Sequence, residues 1–84
     1  MAITLRDRTF KYHADGGSEI VLEIANEDLS GDPQYFGYLA HSGAWVIQKR
    51  DIATGIYTYC AGQSGYAAAW AAKAGLTYVA FSAL

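Results

Sequence analysis

Residues 59–76, YCAGQSGYAAAWAAKAGL, decide how this chain is read. Up to Tyr59 apolar residues recur with period two, as in half-buried strands. From Tyr66 the spacing becomes helical, with Tyr66, Trp70 and Lys73 at i, i+4 and i+7. Alanines fill the positions between, and alanine is the residue a helix accommodates at least cost. Ser64 stands where a hydroxyl can accept a first-turn N–H, so it is the expected N-cap, with Gly75 as the expected left-handed residue past the end. Lys73 falls in the last turn, where the negative end of the helix favours a cation. A helix of about nine residues does not persist alone, so Tyr66 and Trp70 are its expected packing anchors on a sheet. Residues 76–81 then resume alternation and read as a last strand.

Working outward, 35–40 and 44–52 flank His41-Ser42-Gly43, a short link ending in glycine and a hairpin signal. On the second of these strands Trp45, Ile47 and Lys49 point one way and Val46, Gln48 and Arg50 the other. Gly37 leaves a gap on the sheet face in which Trp45, the third packing anchor, is expected to lie. Ala53-Thr54-Gly55 makes the next turn, and 56–61 completes a three-stranded meander, the minimum that supports a hydrophobic face. Toward the N-terminus, 19–25 (EIVLEIA) is a strand with Ile20, Leu22 and Ile24 on one face and Val21, Glu23 and Ala25 on the other. Residues 26–34 (NEDLSGDPQ), which hold the only proline, read as a surface loop. Ile3, Leu5, Phe10 and Tyr12 alternate with polar residues, but the phase switches between Asp7 and Thr9, as in one bulged strand or two short ones. Residues 14–18 are the turn of this first hairpin. The expectation is a mainly β fold: one domain over residues 1–84, a small antiparallel sheet, meander or barrel-like body. It carries one short helix at about residues 65–74 before the last strand. Residues 1–25 are either part of the core or an assembly arm.

A chain of 84 residues buries only about 60–65% of its unfolded surface. Cys60 is the single cysteine, so no disulfide forms within the chain, and the scattered histidines make no metal cage. Association is the remaining source of stability. Ten of the twelve aromatic residues lie from Tyr35 onward, more ring surface than so small a core encloses. Tyrosine and tryptophan suit interfaces, because one end is apolar and the other can hydrogen-bond. Tyr35, Tyr38, Tyr57, Tyr59 and Phe81 are therefore the candidate assembly surface. Six basic and eight acidic residues give a net charge of −2, which is no footprint for nucleic acid. No Lys or Arg occurs from 16 to 48, where Glu19, Glu23, Glu27, Asp28 and Asp32 all fall. Such segregation is a solvated face, or it sets the register of one subunit on the next. The N-terminus has charges by its sixth residue and no apolar region, so no signal peptide is expected. No apolar run reaches the ~20 residues of a membrane helix, and no membrane partner is expected.

Catalytic chemistry is sparse. His13 and His41 stand in turn regions without a local Ser/His/Asp or Cys/His pattern, and Cys60, alternating with Thr58 and Ile56, reads as a buried, inert thiol. Gly62-x-x-Gly65 lacks the lysine of a phosphate loop. Glu27, Asp28 and Asp32 are hard-cation ligand types, but their spacing is not that of an EF-hand. No catalytic residue, cofactor or metal ligand set is expected.

One resemblance bears on function. Gly43-Ala44-Trp45-Val46-Ile47, followed by Tyr59, Gly62, Ser64, Tyr66, Ala69-Trp70 and Leu76-Thr77-Tyr78, resembles the C-terminal half of small virion-associated proteins of tailed bacteriophages. The match covers about half of the chain. It implies a non-enzymatic structural subunit, made in the host cytoplasm and carried in the virion as capsid decoration or as a neck, tail or fibre component. The partners it implies are the chain itself, as a trimer or higher ring, and major capsid or tail proteins. Ala67-Ala68 and Ala71-Ala72 replace polar residues of that family, so another subunit is expected to cover one helix face. The alternative is a small carbohydrate- or protein-binding module that stacks ligands on exposed Trp45 or tyrosines.

Overall fold

The computed structural model describes residues 9–13 and 19–83, with side chains from Val21 onward. The expected turn at 14–18 and the phase switch near Asp7 lie outside the described residues. Among the described residues five strands, β1 (Thr9–His13), β2 (Glu19–Asp28), β3 (Gln34–Ala40), β4 (Trp45–Arg50) and β5 (Tyr57–Gly62), form one antiparallel meander in chain order. The fold is mainly β, as the alternation predicts. Because β2 pairs with both β1 and β3, the first hairpin and the later meander share one sheet.

Both expected turns close. At residues 41–44 the Gly43 N–H donates to the Ala40 carbonyl at 3.0 Å and Ala40 N–H to the Ala44 carbonyl at 2.8 Å. At 51–56 the Gly55 N–H reaches the Asp51 carbonyl at 2.7 Å, and the Asp51 carboxylate accepts from the Thr54 N–H at 3.2 Å. These turns fix the register. One face carries Leu22, Ala40, Tyr38, Val46, Gln48 and Tyr59; the other carries Gly37, Trp45, Ile47, Lys49 and Cys60. Leu22, Val46 and Ile47 are fully buried.

β2 is longer than the alternation predicts and runs into the stretch read as a loop. Its ladder shifts between Ile24, opposite Tyr38, and Asn26, opposite Gly37. Ala25 is the extra residue of this bulge, and it exchanges the faces of everything after it. Asn26 and Asp28 thereby leave the face of Leu22 and join the face of Gly37.

The helix α1 (Tyr66–Ala71) lies on that second face, followed by a 3-10 turn over Lys73–Gly75. Its start differs from expectation. Gly65, at φ 75°, precedes the first turn, and no side chain caps it. Ser64 contributes its carbonyl instead, accepting from Trp45 Nε1 at 2.7 Å. Nor does a left-handed Gly75 end the helix: the Ala72 N–H is shared between the Ala68 and Ala69 carbonyls, and the chain tightens into the 3-10 turn. The expected last strand reduces to one pair. Tyr59 and Val79 exchange both backbone bonds, at 2.7 and 2.8 Å, and residues 81–83 then curl into a 3-10 turn as Ala83 N–H returns to Ala80.

Candidate assembly surface

Two glycines on the helix face seat aromatic rings, and they sort the packing anchors. A Cβ on Gly37 would collide with the Tyr66 hydroxyl and stand 2.9 Å from Trp70 Cε3. A Cβ on Gly62 would press into the Trp45 indole, 2.8 Å from Nε1. The gap at Gly37 thus belongs to Tyr66 and Trp70, not to Trp45 as the sequence suggests. Trp45 covers Gly62, its direct cross-strand partner. Tyr66 and Trp70 lie over Gly37 on the sheet, and the Tyr66 hydroxyl donates to Asn26 Oδ1 at 2.8 Å, tying α1 to the bulged end of β2. Burial pushes the Tyr66 phenol up to about 12.

Around these rings is a cation–aromatic cluster. Lys73 Nζ lies 3.4 Å from Asp28 Oδ2, 4.6 Å from the Trp70 ring centre and 5.7 Å from that of Tyr35. Lys49 Nζ stands 4.6 Å over Tyr78, whose ring centre is 6.2 Å from that of Tyr35. The Tyr78 hydroxyl donates to the Lys73 carbonyl at 2.8 Å, and burial, with the neighbouring Tyr35 and Cys60, pushes the phenol well above its ordinary range. Lys73 therefore serves the strand β2 rather than the end of a helix. Asp28 also accepts from the Ser30 hydroxyl at 2.6 Å and the Ser30 N–H at 3.1 Å, and these bonds, with Lys73, hold its carboxyl below the usual value.

The predicted assembly residues divide into two groups. Tyr35, Tyr38 and Tyr59 are half-buried and engaged within the chain. The Tyr38 hydroxyl donates to Gln48 Oε1 at 3.2 Å, and Gln48 Nε2 donates to the Tyr59 oxygen at 3.2 Å, a relay across three strands. Tyr57 and Phe81 are 42% and 47% exposed. Phe81 packs edge-on against Tyr59, with ring centres 5.4 Å apart, and Tyr57 lies beneath the Arg50 guanidinium at 5.9 Å. Composition alone does not point to their neighbours. Ile52 and Ile56, 43% and 60% exposed, sit in the β4–β5 turn, and Val79 lies on the outer edge of β5. Their signal in the sequence is an aliphatic pair inside a tight turn, where polar residues are usual.

A second surface lies at the β2–β3 end, where Val21, Glu23, Leu39, Ala40 and His41 line an open depression of about 470 Å³. His41 is exposed there. Cys60 is half-buried rather than fully enclosed, and burial pushes its thiol up, away from reactivity. Trp45, only 6% exposed with its N–H taken by Ser64, offers no platform for stacking a ligand. Ala67, Ala68 and Ala71 on α1, and Ala72 just past its end, are exposed. The carboxylates of the acidic segment serve separate groups, Asp28 as above and Asp32 accepting from the Ile52 N–H at 3.2 Å. Among the described residues no three His, Cys, Asp or Glu side chains gather to hold a metal, and no helix is long and apolar enough to cross a membrane. None of the protein-family models, curated proteins or solved structures compared with this chain matches it.

Proposed function

We propose that this chain is a structural subunit of a tailed-bacteriophage particle, acting by self-association and by docking on a larger capsid or tail protein. The observation that carries the reading is the apolar end of β5. Tyr57 and Ile56 at its start and Phe81 beside Tyr59 keep two fifths or more of their surface in solvent. Strand edges with exposed aromatic and aliphatic side chains are where chains pair with other chains. The resemblance of the segment from Gly43 to Tyr78 to virion-associated proteins supplies the setting. Adhesion needs no reacting group, and every side chain in this region is of the kind that contributes burial rather than chemistry.

Size-exclusion chromatography with light scattering tests the proposal. The chain should run as a trimer or larger ring at micromolar concentration. Tyr57 and Phe81 keep just under half of their surface in solvent, so burying the remainder of each contributes about 0.7–1.5 kcal/mol, and Tyr57→Ser with Phe81→Ser should raise the dissociation constant at least ~10-fold while leaving the circular dichroism spectrum unchanged. A strictly monomeric wild-type chain at high concentration would refute the assembly role.

A further inference from the structure

The outer edge of β5 is covered by one segment of the chain itself, held there by a single backbone pair and by ring contacts. Residues 78–83 form a strap. It is attached through the two Tyr59–Val79 backbone bonds, the Phe81 ring on Tyr59, and Tyr78 against Tyr35, under Lys49 and on the Lys73 carbonyl. Alternation persists along it, with Tyr78 on the helix side and Val79 and Phe81 on the side of Tyr59. It is a sixth strand reduced to one pair. Beyond that pair, the alternation of the ladder turns the backbone groups of Tyr57 and Ala61 to the same outer edge, on either side of Tyr59. Ahead of the strap, the 3-10 turn is closed by a long Leu76 N–H to Lys73 carbonyl bond of 3.4 Å, and no atom lies within 4 Å of where a Gly75 side chain would be. Residues 75–77 thus link the helix to the strap, with open space beside Gly75 and Leu76 half-buried.

We infer that this strap is exchanged between copies: the β5 edge of one chain takes residues 78–83 of a second, which re-make there the contacts they make at home. The occupant is defined by the contacts already in the fold, since the edge is shaped for this sequence: a backbone pair at Val79 and an aromatic ring two residues on. Bodies joined in this way come to lie beside β5. Tyr57 and Ile56, which the strap leaves uncovered within one chain, then gain a neighbour, and this added apolar burial favours the exchanged form over the closed one. Reciprocal exchange closes a two-fold dimer, and head-to-tail exchange closes a ring. The inference rests on the self-association proposed above and names its contact.

The test is covalent capture. Tyr59→Cys and Val79→Cys, in a Cys60→Ser background, place two thiols at directly paired positions, where a disulfide is sterically allowed. After oxidation at a concentration where the chain is associated, a non-reducing gel should show most of the protein as linked dimers or a ladder. Light scattering that reports an oligomer, combined with a gel showing only monomers with an internal link, would overturn exchange while leaving self-association standing. A monomer by both methods overturns both. Because removing Tyr59 weakens the relay to Gln48, the unmodified chain provides a second readout: isotope-filtered NMR on mixed labelled and unlabelled copies should show intermolecular NOEs between residues 59 and 79, and solely intramolecular ones contradict exchange.

Discussion

Gly37→Ala should destabilise this protein although it adds only one methyl group. The added carbon would enter the space of the Tyr66 hydroxyl and stand 2.9 Å from both Tyr66 Cζ and Trp70 Cε3. Neither ring can swing aside cheaply, since Tyr66 is tied to Asn26 and Trp70 lies under Lys73. The six-residue helix must lift as a body. Overpacking of this kind costs about 1–3 kcal/mol, and losing the Tyr66–Asn26 bond about 0.5–1.5 kcal/mol more. Against this, alanine restricts the unfolded chain and returns about 0.4–1 kcal/mol. The net loss is about 0.5–4 kcal/mol, which for a domain of this length lowers Tm by roughly 2–30 °C. Thermal unfolding followed by circular dichroism reads it directly. A double-mutant cycle with Tyr66→Ala isolates the cause: removing the ring should make Gly37→Ala cheaper by about 1 kcal/mol or more. An unchanged or raised Tm for Gly37→Ala, or strict additivity in the cycle, would show that α1 does not rest on this glycine.

Three further outcomes follow from the same geometry. Gly62→Ala should displace the Trp45 indole from its seat, shifting tryptophan emission to longer wavelength and lowering the urea midpoint; an unaltered spectrum would contradict the packing at Gly62. Asp28 titrates below the 3.8 of the unfolded group, so its contribution is complete above that pH and is lost as pH falls through the folded value. Wild type should therefore exceed Asp28→Asn in Tm by a constant margin from pH 7 to 5, with the gap closing below about pH 4; a gap that widens in acid would reverse the sign. The Tyr66 phenol ionises at 10.0 unfolded and about 12 folded, so stability is full below pH 10 and falls as pH rises toward 12. Tyr66→Phe should flatten that alkaline decline, and an identical slope in wild type and variant would assign it elsewhere.

The meander is legible in the sequence because its determinants are local. Tight turns at 41–44 and 51–56 and strict alternation on β4 fix which residues share a face, and the core forms on that basis. The occupant of Gly37 is a different matter. Counting back from the pair Arg50–Tyr57 that closes the second turn arrives at Trp45 opposite Gly62. The ring is therefore seated before Gly37 can receive it, and Gly37 is left to the helix. Ser64 is misread because capping preference describes an isolated helix, whereas here a buried indole N–H needs an acceptor and takes the Ser64 carbonyl. The last strand is right in its alternation and wrong in its extent, since sequence periodicity gives the direction of side chains but not the length of a ladder. Of the assembly surface, composition shows that rings are abundant. It does not show that Tyr35, Tyr38 and Tyr59 find partners at home while Tyr57 and Phe81 keep much of their surface outward.

The bulge at Ala25 has a consequence for how this chain can vary. Every cross-strand partnership from Glu19 to Asp28 survives if Ala25 is simply left out, because Ile24 and Asn26 already face consecutive residues of β3. A homologue one residue shorter at this point would keep the same sheet, the same Asn26 clasp on Tyr66 and the same Lys73 bridge, losing only local coiling of the strand. Loss of a single codon is thus accommodated in the middle of β2, a place where alignments ordinarily forbid gaps.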